Sequence, residues 1–204
     1  MDFLIYGILG IVVSMAGSIL PSLLNMSILK YSLNVGARSG LMIALGIVTI
    51  IFLQANIGTL LSNILMNNSE YIRILQIIGT FILFILCGYF LNLHVGKQKN
   101  VVSEDKTKFY LHGVVISSLN TFAIPFYFTA TFILSKLNFF EYTVHHSIYF
   151  SVGSGLGSFM IYSLYIIFAT KGEKKLTKLA SKMNLILCLI TGIAGLFNAI
   201  YLLK

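Results

Sequence analysis

Hydrophobic residues in this chain run in long blocks, with the charged residues set between them as punctuation. Reading from charge to charge gives six long uncharged runs, 3–29, 39–69, 74–96, 109–135, 142–170 and 183–203, of 27, 31, 23, 27, 29 and 21 residues. A helix needs about 20 residues to cross the hydrocarbon core of a bilayer. Within the runs apolar residues follow one another and do not alternate. Of the two structures that satisfy every backbone group in lipid, the pattern therefore predicts helices and not barrel strands. The predicted fold is an all-α integral membrane protein with six transmembrane helices.

The polar positions divide this plan in two. The longest polar segment is "GKQKNVVSEDKTKF", Gly96 to Phe109. It separates a first three-helix repeat (1–95) from a second (110–204), with a cytoplasmic linker at 96–109. Three is odd, so related halves must insert in opposite orientations, the inverted-repeat plan of many secondary transporters. Placing Pro21 on Pro125 sets "VVSMAGSILPSLLN" beside "ISSLNTFAIPFYFT", with Ser14 over Ser118 and Gly17 over Thr121. In the second helices Gly46 falls on Gly153, and in the third "IGTFI" falls on "TGIAG". The only two prolines of the chain thus sit at matching depths of the first helix in each half.

Composition agrees with the pattern: 57% of residues are hydrophobic and 10% charged, with a net charge of +8. Soluble domains carry about 25% charged residues. The positive charge is unevenly divided between the two sets of loops. One set holds Lys30, Arg38, Lys97, Lys99, Lys106, Lys108, Lys171, Lys174, Lys175, Lys178 and Lys182, and the other only Arg73, Lys136 and Lys204. An 11 to 3 bias is a positive-inside signal. It predicts a multi-pass protein of the cytoplasmic membrane with both termini outside the cytoplasm. The basic loops then face anionic lipid, which accounts for the charge without a nucleic-acid partner. Asp2 is the only early charge and the first run is long, so the N-terminus does not read as a cleaved signal.

The prolines raise the question of chemistry. Proline inside a helix removes a hydrogen bond and clashes one turn back, costing about 3 kcal/mol. It suits the start of a helix, where its missing N–H would have no partner anyway. Helices one and four are therefore expected to break and restart at Pro21 and Pro125, aiming N-termini toward the midplane and leaving the carbonyls of 17–20 and 121–124 as open acceptors. Polar residues flank both points: Ser14, Ser18, Ser22 and Asn25 around the first, Ser117, Ser118, Asn120 and Thr121 before the second. Backbone N–H groups would hold a carboxylate and the oxygens an ammonium, as a zwitterion requires. The expected substrate site comprises Ser18, Pro21, Ser22, Asn25, Asn120, Thr121 and Pro125, with Gln54 and Asn56 of span two on the same path.

These residues resemble the LysE/RhtB-type amino-acid exporters, whose first helix carries a Pro-Gly-Pro turn followed by a helix and a Gly-rich second span. The matching stretch is "ILPSLLNMSILKYSLNVGARSGLMIALGI", Ile19 to Ile47, with Gly36, Gly40 and Gly46 at the small-residue positions; "SLNTFAIP", Ser118 to Pro125, is similar to the Asn-containing turn of helix four. This chain has Leu20-Pro21-Ser22 in place of Pro-Gly-Pro, and Asn120 and Pro125 stand apart. The resemblance implies a non-enzymatic transporter exporting amino acids or related small metabolites, driven by the proton or membrane gradient, and is compatible with a homo-oligomer.

Other chemistry fits less well, and no cofactor or metal is implied. "GSGLGS", Gly153 to Ser158, lies mid-span and reads as helix packing, not a phosphate loop. Ser154 is two helical turns from His146, too far for a nucleophile–base pair. His145 and His146 face different directions with no neighbouring carboxylate or cysteine in sequence, and read as an interfacial pair. His112 is a candidate proton carrier, since histidine titrates near neutral pH. Tyr71, Tyr110 and Tyr142 read as interfacial anchors. The rival from another class, a membrane thiol-relay oxidoreductase, would need cysteines beside the prolines, whereas Cys87 and Cys188 fall in spans three and six. A divalent-metal exporter of related fold would need embedded carboxylates or thiolates.

Overall fold

The computed structural model describes residues 2–19, 22–67, 106–120 and 122–170 continuously, with isolated positions between 77 and 88 and between 189 and 200. Among the described residues there are six helices and no strand. They are α1 (Asp2–Ser18), α2 (Leu23–Asn34), α3 (Ala37–Asn67), α4 (Lys106–Ser118), α5 (Ala123–Lys136) and α6 (Val144–Thr170). Contacts sort the chain into two compact units. One takes Met1–Asn63 with Val102–Lys174, the other Ile64–Val101 with Lys175–Lys204. The first unit thus draws on both sequence halves.

Two helices are long and apolar enough to cross a membrane unbroken, over Ala37–Met66 and Val144–Ala169. Two helix pairs pass the same test together but bend at a short break: α1 with α2 by 77°, and α4 (from Lys108) with α5 by 61°. Counting each bent pair as one span gives four. The third and sixth expected spans, 74–96 and 183–203, lie mostly outside the described residues, as do Tyr71 and Cys188, and the positions described within those two runs are helical. In that second unit, a β-carbon added to Gly192 would lie 3.2 Å from Cys87 Sγ.

Within the first unit, glycines let backbones meet. A β-carbon added at Gly153 would overlap the Gly7 carbonyl oxygen, one at Gly10 that of Phe150, and one at Gly157 that of Ile11. These contacts weld α1 to α6, so "GSGLGS" is a packing element. The same device joins α3 to α4, where Gly46 meets Tyr110 O and Gly113 meets Ile43 O. Such small-residue contacts replace the hydrophobic driving force that lipid does not supply.

Two turns carry local signatures. Gly36 closes α2 at φ +115°, with open space around its missing side chain, so its requirement is conformational. Ser39 Oγ lies in donating range of Tyr31 O at 2.8 Å and Gly36 O at 2.7 Å, carbonyls that also accept backbone N–H groups where α2 ends. Tyr142, between α5 and α6, donates to Thr131 O at 3.1 Å and pairs with the Ser62 hydroxyl. It ties α3 to the end of α5, a role beyond that of a headgroup anchor.

Gly153→Ala and Gly113→Ala should each destabilise the protein by about 1–3 kcal/mol through overpacking. Gly88→Ala, where an added carbon meets nothing within 4 Å among the described residues, should leave stability unchanged or slightly raised. Apparent melting temperatures in detergent, followed by size-exclusion chromatography, will rank the three.

Candidate functional site: two broken helices and their polar partners

The first break runs from the end of α1 at Ser18 to the start of α2 at Leu23. Ser22 is the N-cap, in extended backbone geometry, and its hydroxyl accepts from Asn25 N at 3.5 Å. The same hydroxyl donates to Asn25 Oδ1 at 3.3 Å. The Asn25 Nδ2 group reaches back to Ser18 O at 2.9 Å, and Tyr165 of α6 donates to Ile19 O at 3.2 Å. Of the carbonyls expected to stand open before this break, those of Ser18 and Ile19 are therefore taken. Leu20 and Pro21 lie outside the described residues.

The second break separates α4, ending at Ser118, from α5, starting at Ala123. Here the N-cap is Phe122, with no side-chain cap bond. Gln54, on α3, acts on the other side of the break, at the end of α4: its Nε2 group donates to Ser117 O at 3.0 Å and Asn120 O at 3.3 Å, beside the turn bonds these carbonyls accept from Asn120 N and Ala123 N. Chain ends at both breaks are thus closed by a carboxamide, from Asn25 in one and Gln54 in the other. Asn56, two positions on, points about 200° around α3 from Gln54 and is half-buried. Asn120 is half-buried, and Thr121 lies outside the described residues.

The expected restart at Pro125 is corrected. Helix α5 opens two residues earlier, at Ala123, and its first turn closes with Phe126 N on Phe122 O at 3.1 Å. Pro125 is the third residue, inside the turn whose N–H groups have no intrahelical acceptor, so it costs no hydrogen bond. Pro21, by contrast, precedes the Ser22 cap in sequence. The prolines therefore hold different places relative to the helices that follow them.

Between the breaks lies a row of hydroxyls that sequence reasoning did not assemble. Tyr127 OH of α5 meets Ser14 Oγ of α1 at 2.9 Å, Ser14 meets Ser158 of α6, and Ser158 meets Ser18 at 2.9 Å. Ser14 and Ser158 are fully buried. Three bonds join four hydroxyls, each able to donate one hydrogen and to accept at two lone pairs. The row extends along α6, where Ser147, Ser151, Ser154, Ser158, Tyr162 and Tyr165 are all buried. Their spacing of three and four residues places them on one helix face, and that periodicity was present in the sequence.

Two further expectations meet the structure at the helix ends. His112 packs edge-on against the ring of Tyr31 at 5.2 Å, in an aromatic group with Phe109. His146 stacks on Tyr6 at 3.9 Å, and its Nε2 atom lies 3.7 Å from Asp2 Oδ2, so folding brings up a carboxylate that sequence neighbours lack. A cavity of about 420 Å³ opens beside them, lined by Asp2, Phe3, Thr143, His145, His146 and Tyr149. Among the described residues no group of three metal-ligating side chains converges.

Coupling in the hydroxyl row is measurable. A double-mutant cycle of Ser14→Ala and Tyr127→Phe, read by unfolding in mixed micelles, should give an interaction energy of about 0.6 kcal/mol, typical of hydrogen bonds within membranes.

A family model described as LysE type translocator matches residues 15–203, a span that contains both breaks, Gln54 and all of the hydroxyl row but Ser14. Neither the curated proteins nor the solved structures compared with the chain give a match. By that match over nearly its whole length, the chain belongs to the LysE type translocator family, a family of membrane transporters.

Proposed function

We propose that the protein exports amino acids or related small zwitterionic metabolites across the cytoplasmic membrane, binding them between the two broken helices. The observation that carries this reading is the pair of bent helices, 77° and 61°, each with its released carbonyls closed by a carboxamide. Helix N-termini at α2 and α5 provide positive partial charge for a carboxylate, each about half an elementary charge. Ser18, Ser22, Asn25, Gln54 and Asn120, with Pro21, Thr121 and Pro125 beside them in sequence, form the proposed site. Membrane transport itself follows from the family.

Alternating access between two inverted halves, 1–95 and 110–204 joined by the 96–109 linker, is part of the proposal. Repeating contacts support it. Gly10 and Gly113 are 103 residues apart, as are Gly7 and Tyr110, while their partners Phe150 and Ile43 are 107 apart, as are Gly153 and Gly46. One pair of interlocks, α1 on α6, is thus matched position by position by the other, α4 on α3. This register lays Ser14 on Ser117, both fully buried, one residue off the register that aligns the prolines. In this reading both termini lie outside the cytoplasm, the basic loops meet anionic lipid, and no cofactor takes part. His112 remains a proposed proton carrier.

Counterflow in proteoliposomes against a panel of amino acids should show accumulation of at least one, with cadmium uptake and thiol exchange as negative controls. Ser22→Ala and Asn120→Ala should each slow that counterflow by roughly tenfold, the worth of one hydrogen bond to a charged group, at unchanged yield of extracted protein. Parental rates in both variants would move the site elsewhere.

A further inference from the structure

Three buried side-chain atoms lack a hydrogen-bond partner among the described residues: Ser32 Oγ, Ser154 Oγ and Gln54 Oε1. The two serines are weak evidence, because a helical hydroxyl can rotate onto the carbonyl four residues back. Ser147, Ser151 and Ser163 do so at 2.8–2.9 Å. Gln54 has no such freedom. Its Nε2 group is held by two carbonyl oxygens, Ser117 O and Asn120 O. Turning the amide over would set Oε1 against two acceptors and leave Nε2 without any, so the network fixes the orientation.

The comparison with Asn25 sharpens this. Both carboxamides donate to a carbonyl at the end of a broken helix, but Asn25 Oδ1 receives the Ser22 hydroxyl while Gln54 Oε1 receives nothing described. Four backbone acceptors at the breaks are engaged by side chains as well. Ser18 O is held by Asn25, Ile19 O by Tyr165, and Ser117 O and Asn120 O by Gln54. At the second break Gln54 Oε1 is a fixed side-chain acceptor with no described donor, on a residue only 5% exposed. An unmatched buried acceptor is destabilising, and a donor that docks there removes the penalty.

We propose that Gln54 Oε1 accepts an N–H from the ammonium end of the transported solute and thereby sets its selectivity. The inference rests on the transport reading and adds its substrate class: small solutes bearing at least one N–H donor, with N-permethylated analogues excluded. Charge-assisted N–H···O bonds are about twice as strong as neutral ones, which favours an ammonium over a hydroxyl at this oxygen.

The test takes the amino acid of fastest counterflow and compares it with its N,N,N-trimethyl and 2-hydroxy analogues in proteoliposomes. The parent should prefer the amino acid over each by at least tenfold. Gln54→Met, similar in volume but without the acceptor, should narrow both ratios to within about threefold. Gln54→Glu, which presents a carboxylate to the same group, should widen them. Ratios discriminate where rates do not, since loss of the structural bonds to Ser117 and Asn120 would slow all three solutes alike. Equal transport of the trimethyl or hydroxy analogue by the parent overturns the proposal without recourse to variants, as do unchanged ratios in both variants. Absence of counterflow by the folded parent for every amino acid would instead overturn the transport reading, and this proposal with it.

Discussion

Lipid offers no hydrogen bonds, so a helix that breaks within the bilayer must find partners inside the protein for the backbone groups it releases. The polar chemistry at both breaks follows from this constraint. Asn25 turns back onto Ser18 O, Tyr165 crosses from α6 to Ile19 O, and Gln54 crosses from α3 to Ser117 O and Asn120 O. An amide or hydroxyl buried without a partner costs about 1–3 kcal/mol. Several such groups at each break would rival the stability of a whole domain. Local turn bonds meet part of this need, as Asn120 N on Ser117 O and Ala123 N on Asn120 O, and donors from α2, α3 and α6 add to them.

The close approach of the helices comes from the glycines. At Gly10, Gly153 and Gly157 the α1 and α6 backbones approach until an added methyl would overlap a carbonyl. At such a distance short side chains can bridge, and a serine on α1 reaches a serine on α6 directly. Longer side chains would have held the helices apart and left the hydroxyls of Ser14, Ser18 and Ser158 without one another. Small residues and buried hydroxyls are thus one feature: the first sets the spacing, and the second uses it.

This coupling explains what could be read from the sequence. The long apolar runs and the two interruptions were legible because both are local: length answers to bilayer thickness, and proline to backbone geometry. Ser22 as a cap and Asn25 as its neighbour were within reach for the same reason, lying within four residues of Pro21. The partner of Gln54 was not, since Ser117 lies 63 positions away and no local pattern names it. Ser158 was assigned to packing because its glycine neighbours dominate the segment, although serines and tyrosines recur along α6 at helical spacing. Tyr127 and Tyr162 escaped notice for a different reason. Tyrosine is expected at the membrane surface, and only the fold shows these two buried among hydroxyls. The start of α5 was misplaced by two residues because proline tolerates any position in a first turn.

The buried polar side chains among the described residues are serine, threonine, asparagine and glutamine, joined by tyrosines; none is a carboxylate, ammonium or guanidinium. A fixed ion at the breaks would have required a counter-ion or a solvated cavity, at a cost of several kcal/mol. Helix ends and carboxamides supply both signs of partial charge without that expense, and they are neutral when the site is empty. A carrier built this way returns empty without moving a formal charge through the hydrocarbon. Under the transport proposal, any response to membrane potential must then enter with the solute or a co-transported ion. Under the same proposal selectivity depends on hydrogen-bond direction: an acceptor with no donor among the described residues, set beside helix ends of the opposite sign, would favour solutes that present both an N–H and a carboxylate.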